Sequence, residues 1–216
     1  PYIDNLEPQF PTLTPNTVYY LPGYLPPNYP DEVGGFRLKK NGMFLLNNIH
    51  YGPSSKDCED SSYLNVFYRK TPIKRAIKET QLGTFGVSKI EPAFFIEPNV
   101  IKTFTTQLTL TQDISLLSVN PHMHLIGKSF WAFAYLGKDT IPLIKINKWD
   151  FKWQYYYTFI NPLKIPKNYT IKVIGTFDNT KQNPNNPFTP PKLITNGNGV
   201  ESMKTTEEMF QFIFTY

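Results

Sequence analysis

The chain has 216 residues with a formal net charge of +5, and it is rich in phenylalanine (17), tyrosine (14) and proline (20). Aromatic residues favour pleated sheets and prolines interrupt helices, so this composition predicts an all-β protein. No apolar run approaches the ~18 residues of a membrane-spanning helix, so we expect no membrane span. The densest basic run, residues 70–78, has neither a glycine-rich arm nor interleaved aromatic residues, so we expect no nucleic-acid partner.

The first 72 residues are predicted to form the C-terminal part of one β domain. Prolines are too frequent in residues 1–40 for long strands, and this segment is expected to run extended along a surface. Strands are predicted at 43–51 and 63–68, and a polar loop between them would close a hairpin. Residues 56–62 of that loop are acidic, but they lack the spacing of an EF-hand calcium site, which favours a plain solvated loop.

Two features suggest that the sequence continues elsewhere. The chain begins with Pro1 and shows no signal peptide, so we expect a processed or incomplete chain. Cys58 is the single cysteine, so no internal disulfide can form. It is either a buried thiol or half of a bridge to a cysteine outside this sequence.

Residues 73–89 are predicted to be a charged connector, and a second domain is predicted over residues 90–216. Its candidate strands are 93–96, 101–110, 114–118, 122–135, 140–146, 155–159, 170–178 and 209–216. Short strands at such regular spacing predict an antiparallel β-sandwich. Within it, the aromatic residues of 149–157 are interpreted as core and rim packing, although a sugar-stacking platform or an apolar wall beside a metal site remain alternatives.

Two of the three histidines, His122 and His124, lie one residue apart in the segment NPHMHLIG, residues 120–127. Side chains two positions apart in a strand project from the same face, so both imidazoles would enter one small volume. Neutral imidazole is a good ligand for copper, zinc and iron. The pattern therefore indicates half of a transition-metal site, and a chance pair on a polar strand face is the alternative.

The final predicted strand suggests a third ligand. Its phenylalanines alternate with other residues and would face the core, which leaves Met209 at the start of the opposite face. A thioether favours a soft metal such as Cu(I). Ordinary core packing of the methionine is the alternative.

The segment VNPHMHLIGK (119–128), followed by TEEM (206–209) and preceded by His50-Tyr51-Gly52, resembles a known family. This family is the copper type II, ascorbate-dependent monooxygenases, which includes peptidylglycine α-hydroxylating monooxygenase and dopamine β-hydroxylase. The similarity covers roughly residues 36–216 and is greatest to secreted bacterial relatives of the C-terminal domain.

The resemblance implies two antiparallel jelly-roll domains, one complete over residues 90–216 and one represented by its C-terminal part in residues 1–72. It implies His122, His124 and Met209 as the ligands of the copper at which dioxygen and substrate react. It implies His50 as one ligand of a second, electron-relaying copper. The expected activity is hydroxylation of a C–H bond in a small or medium-sized organic substrate, with ascorbate or another external reductant. The expected location is secreted, periplasmic or at the cell surface.

The sequence also departs from the family pattern. The paired histidines of the second copper are missing, so either they lie upstream of Pro1 or the electron-transfer site has been lost. A partner chain that supplies or covers the missing N-terminal half is a further alternative. Asn120 stands where the peptide-hydroxylating members carry arginine, and Gln211 and Ile213 replace residues that hold a peptide carboxylate. A peptide ending in glycine is therefore not the expected substrate. The alternative hypothesis is a non-catalytic secreted surface or assembly protein that keeps the sandwich for binding a partner or a glycan.

Overall fold

The computed structural model describes residues 20, 29, 33–35, 41, 52, 54–197 and 204–216. These residues contain eleven strands: β1 (Glu79–Gly83), β2 (Ile90–Glu91), β3 (Phe95–Ile96), β4 (Ile101–Thr109), β5 (Ile114–His122), β6 (Gly127–Leu136), β7 (Asp139–Ile146), β8 (Tyr157–Ile165), β9 (Thr170–Asp178), β10 (Ile194–Thr195) and β11 (Gln211–Thr215). None of the described residues is helical. In this part of the chain no helix long and apolar enough to cross a membrane is therefore present.

The strands form two main sheets and one small one. The four-stranded sheet has the order β1-β11-β5-β8, and the five-stranded sheet has the order β2-β4-β9-β6-β7. Strands β10 and β3 pair separately. Every pairing between these strands is antiparallel, which confirms the predicted all-β class.

The two main sheets pack face to face through aromatic side chains. The ring centre of Phe130 on β6 lies 5.8 Å from that of Phe210 and 6.1 Å from that of Phe212. Phe177 on β9 lies 6.0 Å from Phe210, measured between ring centres. All four rings are buried, and each contributes about 1.5–3 kcal/mol to folding. The structure thus confirms the predicted antiparallel β-sandwich.

The last strand is buried on both faces. Phe212 and Phe214 face the core, as their alternation predicts. Ile213 and Thr215 on the opposite face are also buried, and β11 pairs on both sides, with β1 and with β5. Gln211 satisfies its buried amide by donating from Nε2 to the Thr84 carbonyl at 2.9 Å. Strand β11 is therefore hydrogen-bonded along both edges and buried on both faces.

Several predicted strands have nearly the predicted bounds. Those at 101–110, 140–146 and 170–178 correspond to β4, β7 and β9, while those at 93–96 and 209–216 shorten to β3 and β11. The prediction at 114–118 was too short, because β5 continues to His122, and the strand predicted at 155–159 begins later and runs on as β8. The single strand predicted at 122–135 was wrong, because residues 123–126 form a turn between β5 and β6.

The N-terminal predictions have different outcomes. No strand forms at 63–68, where Tyr63, Phe67 and Tyr68 are exposed. The strand predicted at 43–51, with His50, lies outside the described residues. Strand β1 lies within the predicted connector 73–89 and pairs with β11, so this part of it belongs to the sandwich. The division of the chain at residue 72 stays a prediction.

Asn179 ties the loop after β9 to the rest of the sandwich. Its side chain is fully buried, and Nδ2 donates to the carbonyls of Ile96, Glu97 and Lys192 at 2.8–3.0 Å. Its Oδ1 accepts a hydrogen bond from Asn186 Nδ2 at 2.9 Å. One amide therefore connects the end of β3, the approach to β10 and the 179–191 loop.

Candidate metal centre

The two histidines meet where β5 ends, in a region we call the histidine corner (residues 122–127). His122 is the last residue of β5, and His124 lies in the turn that leads to β6. Their ring centres are 5.2 Å apart and their planes are perpendicular. The predicted convergence of the two imidazoles is therefore present, although a turn rather than one continuous strand produces it. Met123 between them is fully buried in the core.

Glu208 holds the turn of the histidine corner. Its Oε2 accepts the backbone N–H of His124 at 2.8 Å, and its Oε1 accepts that of Ile126 at 2.8 Å. The N–H of Met209 also points to Oε2, at 3.3 Å. Burial raises the pKa of Glu208 to about 8, because loss of hydration outweighs the opposing effect of the three backbone donors. One carboxyl group thus replaces the strand hydrogen bonds that residues 123–126 lack.

The backbone contact of His124 with Glu207 selects one form of its ring. His124 Nδ1 lies 2.8 Å from the Glu207 carbonyl oxygen. A carbonyl oxygen can only accept, so Nδ1 carries the proton and the lone pair of the neutral ring is on Nε2. An Nδ1–H bonded to a backbone carbonyl is the usual support of a histidine that binds metal through Nε2.

Met209 lies two residues before the point where β11 pairs with the end of β5. Gln211, the first residue of β11, pairs with His122, the last residue of β5, in the antiparallel β5–β11 ladder. Cross-strand partners and residues two apart share a face, which places Met209 on the His122 face. Its side chain is half-buried. Within the described ranges, no three His, Cys, Asp or Glu side chains group as a metal site.

Aromatic residues enclose the buried side of the histidine corner. The indole Nε1 of Trp149 donates to the carbonyl of His124 at 3.1 Å. The Phe151 ring centre lies 5.7 Å from that of His124. Trp149 is buried, whereas Trp153 is exposed. The 149–157 segment therefore combines core packing with an apolar wall beside the histidines, two of the interpretations that its sequence left open.

Gly127 closes the histidine corner because a larger residue does not fit. A Cβ at this position would lie 2.7 Å from Trp149 Cδ1 and 2.9 Å from Met123 Cε. We expect Gly127→Ala to lower the free energy of unfolding by about 1–3 kcal/mol by overpacking, and to shift tryptophan fluorescence by displacing Trp149. Urea unfolding followed by fluorescence measures both effects.

Gly52→Ala is the matched control, because a Cβ there meets nothing within 4 Å. It should change stability by less than about 0.5 kcal/mol. Equal stabilities of the two variants would contradict the packing of Trp149 against Gly127.

The other described residues that the sequence singled out have roles away from the histidine side chains. His50 lies outside the described residues. Cys58 is exposed, which rules out the buried-thiol alternative, and its sulfur lies 3.3 Å from Ser54 Oγ. Asp60, in the acidic loop, accepts hydrogen bonds from the N–H and hydroxyl of Ser62, as in a local turn. Asn120 is buried and donates to the Tyr155 carbonyl at 2.9 Å, which gives it a structural role.

Glu208 was not predicted as part of the site, and Trp149 entered it only through the alternative of an apolar wall formed by residues 149–157. Glu208 was visible only as one of two acidic residues before Met209, and Trp149 only as the start of an aromatic run. Both residues act through contacts with His124, which is 84 residues from Glu208 and 25 residues from Trp149 in the chain.

Neither models of known protein families nor curated proteins gave a match to this chain. Its function must therefore be inferred from the residues of the histidine corner and their geometry.

Proposed function

We propose that the histidine corner binds one copper ion through His122, His124 and Met209, and that the protein is a copper-dependent monooxygenase-like oxidoreductase. The observation that carries the proposal is the convergence of two imidazoles, 5.2 Å apart between ring centres, in a turn held by a buried carboxyl group. Such a corner gives a metal two nitrogen ligands in a fixed relation, which a chance pair on a strand face would not.

The donor set fits copper better than a hard cation. The Glu207 carbonyl keeps the proton of His124 on Nδ1, so Nε2 is the nitrogen that would bind. His122 supplies a second imidazole from the end of β5, and Met209 supplies a thioether on the same face. Imidazole with thioether suits copper, and the thioether favours Cu(I).

Bound copper would supply one-electron redox chemistry with dioxygen and an external reductant such as ascorbate, for hydroxylation of a C–H bond in an organic substrate. The residues of the chain would position the ligands and restrict water. Glu208 and Trp149 hold the backbone of the turn from two sides. Phe151 places an aromatic ring against His124 and makes one wall of the site apolar.

The wider features of the proposal follow from the family resemblance. The sandwich would have jelly-roll connectivity, and His50 would belong to a second copper completed by upstream sequence or a partner chain. We propose a secreted, periplasmic or cell-surface location, as for the secreted members of that family.

Measuring copper binding to the purified, metal-free protein tests the proposal directly. The wild type should bind one copper per chain, and His122→Ala should lower the affinity by more than about 100-fold, since a ligand matters more than its outer-shell support. Competition with a chromogenic Cu(I) chelator measures the affinity. Absence of stoichiometric copper in the wild type would refute the proposal, as would unchanged binding by His122→Ala with a native circular dichroism spectrum.

Two methionine-to-leucine variants test whether Met209 is the third ligand. Met209→Leu should weaken Cu(I) binding roughly tenfold and Cu(II) binding less, because the thioether prefers the softer ion. Met123→Leu makes the same chemical change at a residue of the same turn that is buried in the core. This variant should leave the affinities for Cu(I) and Cu(II) unchanged. Oxygen uptake with ascorbate by the copper-loaded wild type then separates a redox-active site from a storage site.

A further inference from the structure

The outer face of β6 carries three aromatic side chains in a row, Trp131, Phe133 and Tyr135, which we call the aromatic ladder. Their ring centres are 4.6 Å and 5.9 Å apart along the strand. The alternate residues of β6, such as Phe130 and Ala132, are buried in the sandwich core. The ladder therefore faces away from the core.

The aromatic ladder retains access to solvent. Trp131 is 40% exposed and the other two rings are half-buried. β6 lies inside its sheet between β9 and β7, so the rings stand on an open sheet surface and not at a sheet edge. Because a core-facing phenylalanine already occupies the opposite side of β6, the ladder is not required to complete the core. A contiguous row of partly exposed aromatic rings on an open sheet surface can serve as an interaction surface.

The neighbours of the aromatic ladder are basic or neutral. Its six cross-strand neighbours are Lys145 and Ile174 beside Trp131, Pro142 and Lys172 beside Phe133, and Thr140 and Thr170 beside Tyr135. Lys145 Nζ lies 5.4 Å from the centre of the Trp131 ring. Two of these residues are cationic and none is acidic, so a ligand with negative charge is favoured.

Hydroxyl groups continue the same face toward β4. Thr170 Oγ1 lies 2.8 Å from Thr109 Oγ1, and Thr176 Oγ1 lies 3.0 Å from Thr103 Oγ1. Each hydroxyl can donate and accept, so these pairs can exchange hydrogen bonds with the hydroxyl groups of a ligand.

We propose that the aromatic ladder binds an acidic polysaccharide that carries carboxylate groups. The apolar C–H faces of pyranose rings stack on aromatic rings, the lysines pair with carboxylates, and the threonines meet sugar hydroxyls. Three rings at alternate strand positions extend over ~13 Å, which suits a linear chain lying on a flat sheet better than a small molecule in a pocket.

Other occupants fit the surface less well. A second copy of this face would bring the lysines of both copies together, which like-charge repulsion opposes. Single-stranded nucleic acid needs a basic groove along its backbone, whereas two lysines border the ladder. The inference is independent of copper, because the ladder lies on the outer face of the other sheet from His122.

Affinity electrophoresis of the protein in EDTA tests the inference. The probes are polygalacturonate and the same polymer with its carboxylates methyl-esterified. We expect binding to polygalacturonate, with Kd raised roughly tenfold or more for the esterified polymer and for Trp131→Ala, which leaves the protein charge unchanged. Replacing Lys145 and Lys172 together by glutamine should weaken binding similarly.

Two control variants distinguish binding at the aromatic ladder from general attraction of the polymer to the basic charge of the protein. Lys164→Gln removes a lysine from β8 of the other sheet, and Trp153→Ala removes an exposed tryptophan elsewhere. Both variants should bind polygalacturonate like the wild type. Equal loss in the controls, equal binding of both polymers, no binding of either, or tighter binding of oligothymidylate would each overturn the proposal.

Discussion

Replacing Glu208 by alanine is expected to lower the free energy of unfolding by about 3–5 kcal/mol. The change leaves the backbone N–H groups of His124 and Ile126 without their acceptor, each at a cost of about 1–3 kcal/mol, and it creates a cavity. Glu208→Gln should cost about 1–3 kcal/mol at pH 6, because an amide nitrogen cannot accept the backbone N–H that either oxygen of the protonated carboxyl group can accept. Urea unfolding of metal-free protein measures both variants.

Glu207→Gln is the matched control, since it makes the same chemical change one residue away. The Glu207 carboxylate accepts the N–H of exposed Lys204, and its contact with His124 uses the backbone carbonyl, which the substitution keeps. We expect its stability to change by less than about 0.5 kcal/mol. Similar losses in both glutamine variants would show that Glu208 does not hold the turn.

The pH dependence of stability should also reveal the titration of the Glu208 carboxyl group. Its pKa is raised to about 8 in the folded protein, so the folded state binds a proton that the unfolded chain releases above its ordinary pKa. The contribution of this group is fully present below about pH 4.5 and is lost as the pH rises through 8. The advantage of the wild type over Glu208→Gln should therefore be largest below about pH 4.5 and shrink toward pH 8.

Asn179→Asp should lower the free energy of unfolding by more than about 3 kcal/mol at pH 7. A carboxylate at this fully buried position would face the carbonyls of Ile96, Glu97 and Lys192 with no hydrogen to donate. Burial raises the pKa of such an acid, so stability should recover in part as the pH falls and the acid can donate one hydrogen bond. Thermal unfolding at pH 4 and pH 7 measures both effects.

Asn185→Asp adds the same charge to an exposed position of the same loop and serves as the control. Its stability should stay within about 0.5 kcal/mol of the wild type at both pH values. If the two aspartate variants behaved alike, the buried amide could not be what anchors the 179–191 loop.

The sandwich could be predicted wherever alternation was strong. In β9, buried Ile171, Val173 and Phe177 alternate with half-buried residues, and the predicted strand has the same bounds. In β1 the sequence ETQLG is short and polar, so its pairing with β11 creates a strand that no local pattern indicates. Residues 63–68 show the reverse case, because they have strand-forming residues but pair with no strand in the part of the chain that the structure describes.

The candidate site could be predicted in part. His122 and His124 were found because two of the three histidines lie one residue apart, so one short segment of sequence is enough to show the pair. The role of Glu208 could not be found, because it depends on the register between β5 and β11, which residue types alone do not specify. The aromatic ladder was hidden for another reason: Phe130 on the inner face and Trp131 on the outer face are both apolar, so the pattern does not show which face is exposed.

The link between His124 and Glu208 joins residues 84 positions apart and sets the order in which the site can form. At the usual rate of synthesis, His124 is made roughly 4–17 s before Glu208. During that interval the two histidines are a simple imidazole pair with no fixed geometry, open to any divalent metal that nitrogen ligands attract. The arrangement in which Glu208 holds the turn exists only after the last strand has docked. Under the proposed function, copper would therefore be supplied to the folded chain.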